Sequence, residues 1–170
     1  MQCLADGYFV LPHTVTDYLA RLEHPHVDPD HPAFGETVST AEERLARLLE
    51  VDGSTPVSHF HRELGQLMID VCGVARNAGG LERALAEIPS IRERFWSDVK
   101  VGGDSQSLNQ GLEHAGRVAD FLELGELMCR DALLRDESCG CHLREEHQGE
   151  DGEPIRDDDH FSHVAVYEYQ

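Results

Sequence analysis

The sequence predicts a mainly α protein: an antiparallel three-helix bundle with a short helix before it and an extended tail, ending in one strand, after it. Apolar residues recur at three- and four-residue steps through three long segments, the period of a helix with one buried face. Residues that start and stop helices bound these segments, with Ser, Thr and Pro at their beginnings and Gly and Asn at their ends. Of the 170 residues 40% are apolar, enough for a core of its own.

The opening residues Leu4, Tyr8, Phe9 and Leu11 belong to an apolar helical stretch that ends at Pro12, and a second short apolar stretch follows from Val15 to Leu22. No capping residue precedes the first stretch, so the pattern reads as one entered part-way. Next comes His24-Pro25-His26-Val27-Asp28-Pro29-Asp30-His31-Pro32, whose prolines oppose a regular helix and favour a solvated connector. A boundary is expected here, with residues 1–38 belonging to a different body from residues 39–136.

The short helix opens at Ser39 or Thr40, each three residues before a glutamate in the capping-box spacing. Leu45, Leu48 and Leu49 form its apolar face, and Asp52-Gly53 stops it. The first bundle helix takes Thr55 as cap and Pro56 as its first residue. It buries Val57, Phe60, Leu64, Leu67, Val71 and Val74, and Asn77-Ala78-Gly79-Gly80 ends it. The second runs from Leu81 to about Val99, with Leu81, Leu85, Ile88, Ile91 and Phe95 inward; Pro89 inside it predicts a kink or short break. The third spans Ser105 to Arg135, capped by Ser105 or Ser107, with Leu108, Leu112, Ala115, Ala119, Leu122 and Cys129 as its stripe. Short turns between these three make successive helices antiparallel. Residues 137–170 form an acidic, extended tail, and β-branched and aromatic residues from His163 to Tyr169 predict a terminal strand.

Charge and motifs exclude more than they assign. With 33 acidic residues against 14 Lys plus Arg, the formal net charge is −19, which disfavours binding to a phosphate backbone. No run of about 18 apolar residues occurs, so direct membrane insertion is not expected. The first residues lack the basic start of a secretion signal. Five cysteines, an odd number, suggest reduced thiols and a cytoplasmic setting. No glycine-rich phosphate loop, nucleophile elbow or paired-histidine zinc motif is present.

Cys139-Gly140-Cys141-His142, with His147 nearby, offers soft ligands, but one residue between cysteines departs from the usual zinc spacing. A turn with incidental cysteines is the weightier reading. His24, His26 and His31 read as solvated, and His59 and His61 lie off the core stripe. Arg76 is placed to satisfy the last carbonyls of its helix, and Arg144 to pair locally with Glu145 and Glu146. Both also suit an anionic group across an interface.

Four segments carry a resemblance. They are Met1 to Pro12; Glu63-Leu64-Gly65-Gln66-Leu67-Met68 through Gly73-Val74-Ala75-Arg76-Asn77 to Leu85; Asp136-Glu137-Ser138-Cys139-Gly140-Cys141-His142-Leu143-Arg144-Glu145-Glu146-His147; and Arg156-Asp157-Asp158-Asp159-His160-Phe161 with Tyr167-Glu168-Tyr169. In order and spacing these resemble the C-terminal part of the flavoprotein subunit of succinate dehydrogenases and fumarate reductases. Cys3 and Cys141 depart from the family's more usual residues, whereas Cys139 fits one of its branches. L-aspartate oxidases share the architecture, but Cys139 and the Tyr167-Glu168-Tyr169 ending favour the succinate/fumarate group.

The resemblance implies a parent enzyme that interconverts succinate and fumarate through FAD and passes electrons to iron–sulphur clusters. FAD and the substrate-binding histidines and arginines would lie upstream of Met1, making residues 1–38 a remnant of the FAD-binding domain with its linker. The bundle would brace that domain and help form the surface for an iron–sulphur subunit, which in turn meets a membrane cytochrome b subunit at the inner face of the cell membrane. The resemblance assigns no catalytic, cofactor-binding or metal role to any residue of this chain; His142 and Arg144, although they match family positions, read as structural. The alternative is an autonomous acidic helical interaction module that binds a metal through Cys139, Cys141 and His142.

Overall fold

In the computed structural model, which describes residues 2–23 and 27–168, contacts divide the chain into two units, Met1–Thr40 and Ala41–Gln170. His24, Pro25, His26 and Tyr169 lie outside the described residues, so the first part of the proline connector and the end of the predicted strand are not addressed.

In the first unit the helical stretch does not end at Pro12. It continues to Leu19, alternating α-helical segments (Gln2–Ala5 and Leu11–His13) with wider π-helical ones (Asp6–Val10 and Thr14–Leu19). Proline has no N–H for the carbonyl four residues back, and wider turns relieve the clash of its ring. Leu4, Tyr8, Phe9, Leu11 and Tyr18 are exposed along this stretch.

Helix α1 (Pro32–Glu50) starts earlier than Ser39. Pro32 occupies its first position, as proline favours, and the His31 ring Nδ1 accepts the Ala33 N–H at 3.2 Å. The hydroxyl of Thr40, expected to cap, donates back to the Glu36 carbonyl instead. The boundary between units falls within α1. In its second half Leu48 is fully buried and Leu49 partly, but Leu45 is largely exposed.

Helices α2 (Val57–Cys72), α3 (Ala78–Asp98) and α4 (Gln110–Leu134) form the bundle, each packing on the other two. Two short parallel ladders fix their directions. Strand β1 (Thr55–Pro56), before α2, pairs with β3 (Val99–Lys100), after α3; β2 (Ala75–Arg76), after α2, pairs with β4 (Leu143–Arg144), beyond α4. The start of α2 therefore lies with the end of α3, and the end of α2 with the end of α4. Successive helices run antiparallel, as the sequence predicts. Phe60 and Phe95 meet edge to face at 5.4 Å in a core that includes Leu64, Leu81, Ile88 and Leu122.

The buried stripes match the sequence pattern except at helix ends. Val74 is 84% and Leu108 93% exposed, because α2 stops at Cys72 and α4 starts only at Gln110. Thr55 does not cap α2: its hydroxyl donates to the Asp98 carboxylate at 2.5 Å, and Asp98 also accepts from the Ser54 N–H. These bonds, the Thr55 hydroxyl foremost, hold the Asp98 pKa below the ordinary carboxylate value. Gly53 is required here, since a Cβ would lie 2.1 Å from the Asp98 carbonyl carbon.

Asn77, expected to end one helix, opens the next by accepting the Gly80 N–H at 2.8 Å. Asn109, not Ser105 or Ser107, caps α4 by accepting the Leu112 N–H, while its amide donates to the carbonyls of Gly102 and Asp104. Helix α3 passes through Pro89 without a break. Beyond α4 the chain folds back through β4 to a short helix, α5 (Asp158–Phe161). The expected terminal strand does not form among the described residues. Val164 and Val166 are about nine-tenths exposed and in no ladder, and the Tyr167 hydroxyl donates to Asp131 instead.

Candidate functional site

The most organised polar cluster lies where the end of α2, the start of α3 and the end of α4 meet, under the segment 135–157. Each helix end leaves unpaired backbone groups, carbonyls at carboxyl ends and N–H groups at amino ends. The triplet Arg144-Glu145-Glu146 supplies them by sign. The Arg144 guanidinium, 2% exposed, donates through Nη1 to the carbonyls of Ala132 (3.0 Å) and Leu133 (3.3 Å) at the end of α4. Its remaining nitrogens meet Asp136 and Glu146, each at 3.2 Å. Glu146 accepts the Ala78 N–H at the start of α3, and Glu145 accepts from the Asn77 amide. Cation at a carboxyl end and anion at an amino end both complement the helix dipoles. Burial works to raise the Glu146 pKa, but the bonds from Ala78 and Arg144 prevail and lower it.

The segment is itself fixed from within. Ser138 is buried; its hydroxyl accepts the Arg144 N–H at 2.8 Å and donates to the Arg144 carbonyl at 3.1 Å. Cys139 and His142 exchange backbone hydrogen bonds around Gly140, which holds the left-handed φ of 62° the tight turn needs. Glu137 accepts from the Asp157 N–H and from Arg135. Those bonds, the backbone one first, keep its pKa below the ordinary value.

His142 has one tautomer. A carbonyl only accepts and a guanidinium only donates, so Nε2 donates to the Arg135 carbonyl at 2.8 Å and Nδ1 accepts from Arg76 Nη1 at 3.2 Å. Burial first, then Arg76, Arg135 and Arg144, lower its pKa. A neutral ring with both nitrogens engaged has no lone pair for a metal. Among the described residues no group of three or more His, Cys, Asp and Glu is placed to hold one. The ligand set Cys139, Cys141 and His142 is therefore not assembled: Cys141 is exposed, Cys139 lies in the turn, and His142 is committed elsewhere.

Arg76 does satisfy the end of its helix, donating from Nε to the Gly73 carbonyl at 3.1 Å, and it also reaches His142. Arg144 pairs locally with Glu146 but is buried and caps α4, which the local reading missed. Cys72 and Cys129 are both buried, the Cys129 thiol donating to the Met68 thioether at 3.7 Å; the two thiols act on one another so that the Cys72 pKa is lowered and that of Cys129 raised. His59 pairs with Glu63, and His61 meets His114 on α4, a partner that sequence spacing does not signal. No helix among the described residues is long and apolar enough to cross a membrane.

Residues 61–170, which hold this cluster and most of the bundle, match the sequence profile of the fumarate reductase flavoprotein C-terminal family. The chain belongs to that family. Within this flavoprotein C-terminal family it is 27% identical over 157 residues to the succinate dehydrogenase flavoprotein subunit of Bacillus subtilis (strain 168), covering 89% of this chain and 26% of that protein. It is 28% identical over 103 residues to the fumarate reductase flavoprotein subunit of Escherichia coli (strain K12), covering 61% of this chain and 17% of that one. A solved quinol–fumarate reductase with menaquinol molecules superposes with a TM-score of 0.65 at 26% identity, over 79% of this chain and 22% of that one. The Mycobacterium smegmatis Sdh1 complex superposes with a TM-score of 0.59 at 27% identity, over 76% and 21%. The chain thus spans about a quarter or less of these relatives. The resemblance read in the segments around Glu63–Leu85 and Asp136–His147 is upheld, and the second of these is the helix-end cluster.

Proposed function

We propose that this chain serves as the C-terminal helical domain of a flavoprotein subunit whose whole enzyme interconverts succinate and fumarate through FAD. The observation that carries the reading is the family match over residues 61–170, joined to a fold shared with succinate dehydrogenase and fumarate reductase structures. In this reading residues 1–38 belong with the FAD-binding body, residues 39–136 are the bundle, and residues 137–170 close it. The exposed apolar side chains of residues 4–19 support the first assignment, since contiguous apolar surface is expected to be covered by other protein.

FAD chemistry and substrate binding belong to the upstream part of such a subunit, and no residue of this chain is given a catalytic or cofactor role. The bundle braces that part and contributes surface toward an iron–sulphur subunit, and a cytochrome b subunit holds the assembly at the cytoplasmic face of the membrane. The similar solved structures, a quinol–fumarate reductase and an Sdh1 complex, support an assembly of this kind.

The test is to purify the chain alone and joined to the upstream part of a related flavoprotein. The chain alone should be colourless and inactive with succinate or fumarate, and the joined protein should bind flavin and turn over. Bound flavin with turnover in the isolated chain overturns the assignment.

A further inference from the structure

His61, on the exposed face of α2, and His114, on α4, bring ring nitrogens to 3.3 Å across the two helices, Nδ1 to Nε2. The rings stand nearly perpendicular, 78° apart, and Phe121 lies against His61 at 5.7 Å between centroids. Two imidazole nitrogens bound to one tetrahedral zinc at 2.0–2.1 Å lie about 3.3 Å apart, so the pair already has the spacing of two ligands. Among the described residues, neither ring is tied to a carboxylate or guanidinium by its facing nitrogen, in contrast to His59 with Glu63 and His142 with Arg76. The net charge of −19 raises the local concentration of cations around the chain.

We propose that His61 and His114 form a two-histidine site for a borderline divalent cation of the Zn²⁺, Cu²⁺ or Ni²⁺ class, with water completing the coordination. Imidazole ligands select these ions over Mg²⁺ and Ca²⁺, which require oxygen. In the metal-free pair one ring donates its N–H to the other. On binding, that hydrogen moves to the second nitrogen of its own ring through water. Both rings stay neutral and both facing lone pairs turn to the ion. Because the ligands sit on different helices, the ion clips α2 to α4 and stabilises the folded bundle.

The test titrates the full chain with ZnCl₂ in a calorimeter and measures its melting temperature with and without zinc, in wild type and in His61→Gln, His114→Gln and, as a control, His59→Gln. One equivalent should bind saturably and raise the melting temperature, with EDTA reversing both effects. Loss of either ligand should weaken binding at least about tenfold, since even outer-shell partners of metal ligands are worth 10–100-fold, and should abolish the melting shift; His59→Gln should change neither. Circular dichroism checks that each variant is folded, and imidazole NMR of the wild type should show zinc shifting the His61 and His114 signals. Absence of saturable binding, binding unchanged in both ligand variants, or zinc-shifted signals from other histidines alone would overturn the site.

Discussion

Replacing Arg144 should destabilise the bundle out of proportion to its charge. The guanidinium is 2% exposed, and its loss strands two different kinds of partner. Asp136 is 62% and Glu146 39% exposed, so both carboxylates return to water at little cost. The carbonyl of Ala132, 3.0 Å from Nη1, is buried and has no such recourse, and that of Leu133, at 3.3 Å, is part-buried and has less than the carboxylates. A buried acceptor left unpaired costs about 1–3 kcal/mol, so the Ala132 carbonyl, with a smaller share from the part-buried Leu133 carbonyl, puts Arg144→Met at about 3 kcal/mol. Methionine is chosen because it keeps the stem's packing and isolates the hydrogen bonds from a cavity. Trp96 is the sole tryptophan and packs under Arg47 beside Phe95, so its fluorescence reports the bundle during urea unfolding. The same loss corresponds to a fall in melting temperature of about 6–12 °C for a chain of this size. Glu146→Gln, which keeps an acceptor for Ala78, should cost under about 1 kcal/mol. If Arg144→Met unfolds within about 0.5 kcal/mol of wild type, the carbonyls are satisfied without the guanidinium and the capping argument fails.

Leu64, 4% exposed among Phe60, Ile88 and Gly125, should cost about 2–5 kcal/mol as Leu64→Ala; urea curves that overlay wild type would place the core elsewhere. The depressed pKa of His142 makes stability depend on pH in a fixed direction. The folded state holds the ring neutral while the unfolded chain protonates it near its ordinary 6.5, so the contribution is intact above that value and is lost as pH falls through the lower folded pKa. His142→Gln should flatten that part of a stability–pH profile, and an unchanged slope would assign the dependence to other groups.

What the sequence reveals here is what repeats locally. Val57, Phe60, Leu64, Leu67 and Val71 are buried because a helix returns them to one face every three or four residues, whatever surrounds it. The ends are a different matter. Asn77 suits the end of one helix and the beginning of another, and the Gly79-Gly80 pair after it reads as a stop, although both glycines lie in the first turn of α3. Thr55 is a good cap by chemistry, but Asp98, brought beside it by the β1–β3 ladder, takes its hydroxyl. The segment from His163 has strand composition but forms no ladder among the described residues, and composition cannot supply a pairing partner.

The same logic explains why the helix-end cluster was visible only as a resemblance. Arg144, Glu145 and Glu146 look like a self-neutralising surface triplet, and pairing among neighbours is the reasonable local inference. Their actual partners are the carbonyls ending α4 and the Asn77 and Ala78 donors opening α3. The last two are 68 residues away in sequence. No periodicity reports such a pairing, because it arises from the order in which the helices are threaded. Once the β2–β4 ladder sets the register, adjacent residues 144–146 face a carboxyl end and an amino end, so their opposite charges are both favourable. Exchanging the first two, Arg144→Glu together with Glu145→Arg, would keep composition and net charge yet aim each charge at the like-signed end of a helix. The placement of charge along this short segment, and not its amount, is what closes this end of the bundle.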